Sequence, residues 1–225
     1  MRRTIHVAAA MLVTGVALSA VPLGAQTVLT FEGLGDQAPV GNFYNGGGGG
    51  NLGITFSDNA LAIIRGNAGG SGNFAGEPSP STILFFLNGN AATLNMPSGF
   101  TTGFSFFYSA INNPGMITVY DGENSTGNIL ATLNLSTTPS TPGQGPCANN
   151  PSGQFCPFLP IGVSFSGTAK SVDFGGAVNQ IGFDNITFGS ATPGGGTVPE
   201  PNSLALLGTG LVGLLPMLRR RVKNS

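Results

Sequence analysis

The charged chemistry in the long middle of this chain comes from eight carboxylates and two cations. Between Gln26 and Val198 the acids are Glu32, Asp36, Asp58, Glu77, Asp121, Glu123, Asp173 and Asp184. The cations are Arg65 and Lys170, which leaves a net charge of minus six. The single histidine of the chain is His6, so this stretch has none. Ser-His-Asp and Cys-His nucleophiles and His-built zinc sites are thereby excluded from it. Nucleic acid is excluded as a partner as well, because phosphate contacts need clustered Lys and Arg. A carboxylate pair could hydrolyse glycosides if two acids faced each other about 5–10 Å apart. None of the eight stands in a recognisable catalytic context, and the expectation is a protein that is not an enzyme.

One acid is out of place. In IGFDNITF, alternation along a strand puts Ile181 and Phe183 on one face and Ile186 and Phe188 on the other. Asp184 then falls on the side of Ile186 and Phe188. A β-bulge could re-aim it, a partner could neutralise it, or it could be an exposed acid at a strand end. An unpaired buried carboxylate is very costly, and a Ca2+ ion held by carboxylate and carbonyl oxygens at about 2.3–2.6 Å would neutralise it. Together with LTFEGLGD near the start, this stretch resembles calcium-binding jelly-roll domains, which include carbohydrate-binding modules and MAM-like domains. The resemblance implies a structural Ca2+ with Glu32 and Asp184 as ligands. Asp36 and Asp58 are further candidates, chosen only as acids near strand ends. Sugar binding by such a domain would need aromatic platforms. With no Trp and only three Tyr in the chain, these would be Tyr44, in the glycine-flanked NFYNG stretch, and Tyr120.

The elements that must position these residues read as strands nearly throughout, with no amphipathic helix. The expected spans are Thr27–Glu32, Gly53–Ser57, Leu61–Arg65, Thr82–Leu87, Ala91–Met96, Thr102–Ser109, Met116–Asp121, Asn128–Leu135, Ile161–Ser166, Ser171–Phe174 and Gln180–Phe188. Asn-, Gly- and Pro-rich turns separate them. Many short strands so divided argue for an all-β, antiparallel β-sandwich of jelly-roll type over residues 26–188. In GFSFFYS the residues Phe104, Phe106 and Tyr108 share a face, and most of the phenylalanines are expected in the core. The glycine run Gly46–Gly50 reads as a flexible loop, and residues 189–197 as a plain linker.

Both ends read as addresses. Arg2 and Arg3 precede an apolar stretch, and Leu23-Gly24-Ala25 offers a cleavage site, so residues 1–25 are expected to be a signal peptide for general secretion. At the other end, Val198-Pro199-Glu200-Pro201 leads into an uncharged apolar run over about 203–218, followed by Arg219, Arg220, Arg221 and Lys223. The run is at the short end of what spans a bilayer of about 30 Å, and cations beside a span stay on the cytoplasmic side. Triplet, apolar run and basic end resemble, in that order, the PEP-CTERM sorting signal of exported bacterial proteins. That resemblance implies processing by an exosortase after transit through the secretion machinery, a stay in the inner membrane with the domain outside the cytoplasm, and delivery to the cell surface or extracellular matrix. In an exported chain, Cys147 and Cys156 in a Pro/Gly/Asn-rich loop are expected to form a disulfide. The function expected is a binding or scaffold module of the surface or matrix. The alternatives are a calcium-dependent, lectin-like module for polysaccharide and a carboxylate-dependent glycoside hydrolase.

Overall fold

The computed structural model describes residues 26–148 and 153–194. The signal peptide expected at 1–25 lies outside the described residues. So do Val198, Pro199, Glu200 and Pro201, the apolar run, and Arg219, Arg220, Arg221 and Lys223. Among the described residues no helix is long and apolar enough to cross a membrane.

Among the described residues thirteen strands form two antiparallel sheets and one small hairpin. They are β1 (Thr27–Leu29), β2 (Asn45–Gly47), β3 (Gly50–Asn51), β4 (Thr55–Phe56), β5 (Ala60–Ile64), β6 (Thr82–Phe86), β7 (Ala91–Phe100), β8 (Gly103–Ser109), β9 (Gly115–Tyr120), β10 (Ile129–Leu135), β11 (Leu159–Ser164), β12 (Ala169–Gly176) and β13 (Gly182–Phe188). The six-stranded sheet runs β11-β8-β13-β6-β5, with β1 also on β13, and the five-stranded sheet runs β10-β9-β12-β7-β4. From β7 onward the chain crosses repeatedly between the sheets, as in a jelly roll. The fold is the all-β antiparallel sandwich that the turn spacing and alternation lead one to expect.

Between the sheets lies an aromatic core. Phe104, Phe106 and Tyr108 do face inward together, and Phe104, Phe106, Phe174 and Phe183 form a chain of tilted and edge-on contacts with centroids 5.1–6.0 Å apart. Such pairs add to the free energy of area burial. Every strand of the described residues and the whole of this core lie between Thr27 and Phe188, so residues 26–194 contain this sandwich.

Two stretches differ from expectation. The glycine run is a hairpin of β2 and β3 that folds over Phe43: the Gly49 amide donates to the Phe43 carbonyl at 3.0 Å. A Cβ on Gly49 would stand 2.7 Å from the Phe43 ring, so the glycines serve close approach as well as turning. Residues 189–194, expected to be plain linker, lie on the outer face of β8 and β11. Ser105 Oγ donates to Ser190 O, Thr102 Oγ1 to Gly189 O, and the Gly194 amide to Thr187 Oγ1. Cys147 and Cys156 are joined, Cα atoms 5.9 Å apart, and the clipped loop lies against residues 73–75 through Phe155.

Candidate functional site

The site begins with β13 and its three neighbours. On one side β13 pairs with β8 along its length. On the other it meets β6 at Phe183↔Leu84 and β1 at Ile186↔Leu29 through Phe188↔Thr27. The ends of β1 and β6 therefore abut along β13, opposite Asp184 and Asn185. At that point β13 has a bulge: its register against β8 shifts between Asp184 and Thr187, and Asn185 is left-handed with φ 47°. The extra residue resets the alternation. Ile181, Phe183, Ile186 and Phe188 consequently all reach the same core, and Asp184 is turned to the opposite face of the sheet.

Asp184 is nonetheless fully buried, because the segment leading into β6 lies over it. Its Oδ1 accepts from the Asn185 amide at 2.7 Å and from Ser79 Oγ at 2.8 Å. Its Oδ2 accepts from the Ser79 amide at 2.9 Å, with Ser79 Oγ at 2.8 Å. Glu32, on the turn that leaves β1, reaches the same segment. Its Oε1 accepts from the Ser81 and Thr82 amides at 3.0 and 2.8 Å, and Oε2 is 3.2 and 3.3 Å from the hydroxyls of Ser81 and Thr82. Both carboxylates thus meet at Ser79, which the sequence reading did not select. Ser79 lies in the Pro/Ser stretch PSPST, and only its place beside β13 gives it a role.

Ser79 Oγ is short of protons. Within 3.3 Å it has Thr30 O, Thr82 O, Glu32 Oε1 and both carboxylate oxygens of Asp184, yet a hydroxyl donates one hydrogen. Among the described residues no lysine or arginine contributes. Arg65 pairs with Glu77, which keeps Oε2 buried and without a hydrogen-bond partner, and Lys170 acts on Asp121. Burial raises the Asp184 carboxyl to about 7 against the hydrogen bonds from Ser79 and Asn185, and the charge of Glu32 adds to the rise. Burial raises Glu77 as well. Two carboxylates and two carbonyls are hard oxygen donors of the kind that Ca2+ takes. Among the described residues no three His, Cys, Asp or Glu side chains come together as a metal cluster, so carbonyl and hydroxyl oxygens would have to complete the shell.

The other candidates lie elsewhere. Asp36 is exposed and accepts from the Ile64 amide at 2.9 Å, and Asp58 is exposed in the β4–β5 turn. Neither joins Glu32 and Asp184. Tyr44 is not a surface platform: it is 5% exposed, its ring packs on Phe31 and Phe43, and its hydroxyl accepts from the Phe31 amide at 2.7 Å. The carboxylates of Asp184 and Glu32 lie near enough for their charge to act on it. Burial, aided by the charges of Asp184 and Glu32, pushes its phenol above the usual range.

Tyr120 is half-buried on the outer face of the five-stranded sheet. The strand registers set out the rows of that face: Ile129, Tyr120, Ser171 and Asn95, then Thr132, Thr118, Asp173 and Thr93, then Asn134, Met116, Gly175 and Ala91. A groove of about 400 Å³ runs past Tyr120, Thr118, Asp173, Met116 and Asn90. Beyond Tyr120 the β9–β10 turn is tied to the same sheet by Asn124–Asn95 and Ser125–Ser171 hydrogen bonds. Burial raises the Asp173 carboxyl against the hydrogen bond from Thr93.

Residues 197–222 match the PEP-CTERM protein-sorting motif, so the chain carries the sorting signal that its end resembles, a mark of an exported protein. No curated protein matches the chain. Among solved structures it is similar to the K2 cleaved adhesin domain of Lys-gingipain (12% identity, 73% of this chain and 97% of that one, TM-score 0.44). It is also similar to a family 29 carbohydrate-binding module from Piromyces equi (8% identity, 73% and 89%, TM-score 0.38). A third similar structure is a carbohydrate-binding module from Clostridium stercorarium in complex with cellobiose (14% identity, 59% and 82%, TM-score 0.35).

Proposed function

We propose that this protein is a non-enzymatic binding or scaffold module of the bacterial surface or extracellular matrix, processed by an exosortase, whose sandwich is stiffened by one Ca2+ at Glu32 and Asp184. The supporting observation is the Ser79 hydroxyl, with one proton among five acceptor oxygens from four residues. A divalent cation would bind the two carboxylates and the carbonyls of Thr30 and Thr82. It would supply the positive charge that no lysine or arginine among the described residues brings there, and so fasten the end of β1 and the start of β6 to β13. Melting of residues 26–194 with Ca2+ and with chelator tests the reading. Ca2+ at a hundredfold excess over Kd contributes about 2.7 kcal/mol, which raises Tm by roughly 5–10 °C in a domain of this size. The Asp184→Asn variant should lose that response. A wild-type Tm that ignores the chelator removes the cation from the proposal.

The groove beside Tyr120 favours a second reading, a polysaccharide-binding module. An aromatic ring flanked by Thr118, Asp173 and Asn90 offers both the apolar surface and the directional hydrogen-bonding groups that a sugar requires.

A further inference from the structure

Among the described residues the two large sheets end at β11, β5, β4 and β10, with the three-residue β1 adding a short edge beside β6, and three of those four ends are blunted. Against β5 lies the 36–40 segment: the Val40 amide donates to Ala60 O, the Ala62 amide to Ala38 O, and the Ile64 amide to Asp36 Oδ1. β4 is two residues long, and its Phe56 amide is taken by Gly41 O. β11 carries Pro160, which has no N–H to offer. These are the usual protections against edge-to-edge pairing.

The fourth edge, β10, has none of them. It reads ILATLNL, seven residues without proline or charge. Among the described residues no backbone hydrogen bond joins 129–135 to anything but β9. The bulge between Ile129 and Ala131 is confined to one end, and Ala131–Leu135 pair regularly with β9. An edge residue of an antiparallel sheet bonds inward at every second position and turns N–H and C=O outward at the others. Ile129, at the head of this strand, is the most exposed of the large hydrophobic residues among those described, at 61%.

We propose that the partner of this edge is a second copy of the same domain, with β10 pairing antiparallel to β10 about a two-fold axis, so that two five-stranded sheets become one of ten strands. Charge selects both the place and the direction. Each domain carries minus six, and like charges oppose most ways of bringing two copies together. Residues 129–141, however, contain no charge. In the antiparallel arrangement the Asp121 and Glu123 turn of one copy comes beside the exposed hydroxyls of Ser136 and Thr137 of the other, which can donate to carboxylates. A two-fold contact of this kind is self-complementary and closes. A strip of five to seven residues is smaller than a standard interface of about 1,200–2,000 Å², so the dimer is weak. Anchoring both copies in one membrane would raise their effective concentration. The pairing requires neither the Ca2+ nor the sugar.

Sedimentation equilibrium of residues 26–194 from about 10 to 500 µM tests this, with Thr132→Lys/Asn134→Lys as the decisive variant. The wild type should dimerise in a concentration-dependent way. Both substituted side chains are exposed, so Tm should hold, and lysines facing each other across the axis should weaken the dimer at least tenfold. Association governed by net charge alone predicts the reverse, because two added cations lessen the repulsion. A control, Asn88→Lys/Ser98→Lys, makes the same charge change away from β10 and should leave the dimer intact or tighten it. Amide exchange of the wild type should slow at 129–135 as concentration rises. A monomer at the highest concentration overturns the proposal. So does a dimer that the decisive variant leaves unchanged, or one that both variants weaken alike.

Discussion

Asp184 concentrates the physics of the site in one carboxyl. In the ion-free domain burial lifts it to about 7, well above the value of about 3.9 for an exposed aspartate. The folded state therefore binds this proton more tightly than the unfolded state does. The resulting stabilisation is complete below about pH 4 and is lost as pH rises through 7. Burial raises Glu77 and Asp173 too, and they act in the same direction. Asp36 and Asp121 sit below their ordinary values, so their contributions fade only under acid conditions, beneath this window. In chelator, Tm should thus rise as pH falls from about 7.5 to 5. In excess Ca2+ it should fall over the same range, because protons compete with the ion for Asp184. Parallel slopes with and without Ca2+ would separate the ion from this carboxyl. The anomaly at Asp184 was legible, since strict alternation put a carboxylate among apolar side chains and a bulge was one stated way out. Tyr44 was misread for a physical reason. Glycines around an aromatic look like a loop presenting it, whereas here they let the chain close over Phe43 and leave Tyr44 inside.

At the scale of elements, what was legible is what side-chain pattern encodes. The spans expected from alternation and turn residues lie within a few residues of β1 and β4–β13. The main discrepancy is β7, which runs on to Phe100 through Pro97 because the register opposite Lys170 is irregular there and needs no ladder hydrogen bond. Docking by backbone alone leaves no such trace. Residues 189–194 read as linker because they are small and polar, yet they lie on β11 where Gly162 leaves room: a Cβ there would come 2.1 Å from Ala191 O. Gly162→Val should therefore lift this segment off the sheet. Overpacking of this kind costs about 1–3 kcal/mol. The hydrogen bonds of Ser105 and Thr102 to residues 189–190 would go with it. Limited proteolysis should then cut within 189–194 several times faster than in the wild type while the sandwich up to Phe188 stays resistant. An unchanged cleavage rate would mean that the segment is already free in solution.

Across the whole molecule, the two candidate binding features are on different sheets. The carboxylates lie at the junction of β1, β6 and β13 in the six-stranded sheet, and the Tyr120 groove lies on the outer face of β9 and β12 in the five-stranded one. The aromatic core separates them. An ion at Asp184 cannot touch a ligand at Tyr120. It can act there only by keeping the sandwich folded, which is a coupling through stability rather than through shared ligands. The lectin-like expectation ties sugar affinity to Ca2+, and this separation divides it in two. On a glycan array at about 20 °C, well below melting, a polysaccharide bound by residues 26–194 should be retained in chelator with affinity changed less than twofold. Tyr120→Ala should weaken it about fivefold or more, since stacking contributes on the order of 1 kcal/mol or more, and should leave Tm and its response to Ca2+ in place. Raising the temperature in chelator should abolish binding at the same point at which the domain melts. Loss of binding on chelation at 20 °C, with the fold intact, would instead place the ion in contact with the sugar and move the site away from the groove.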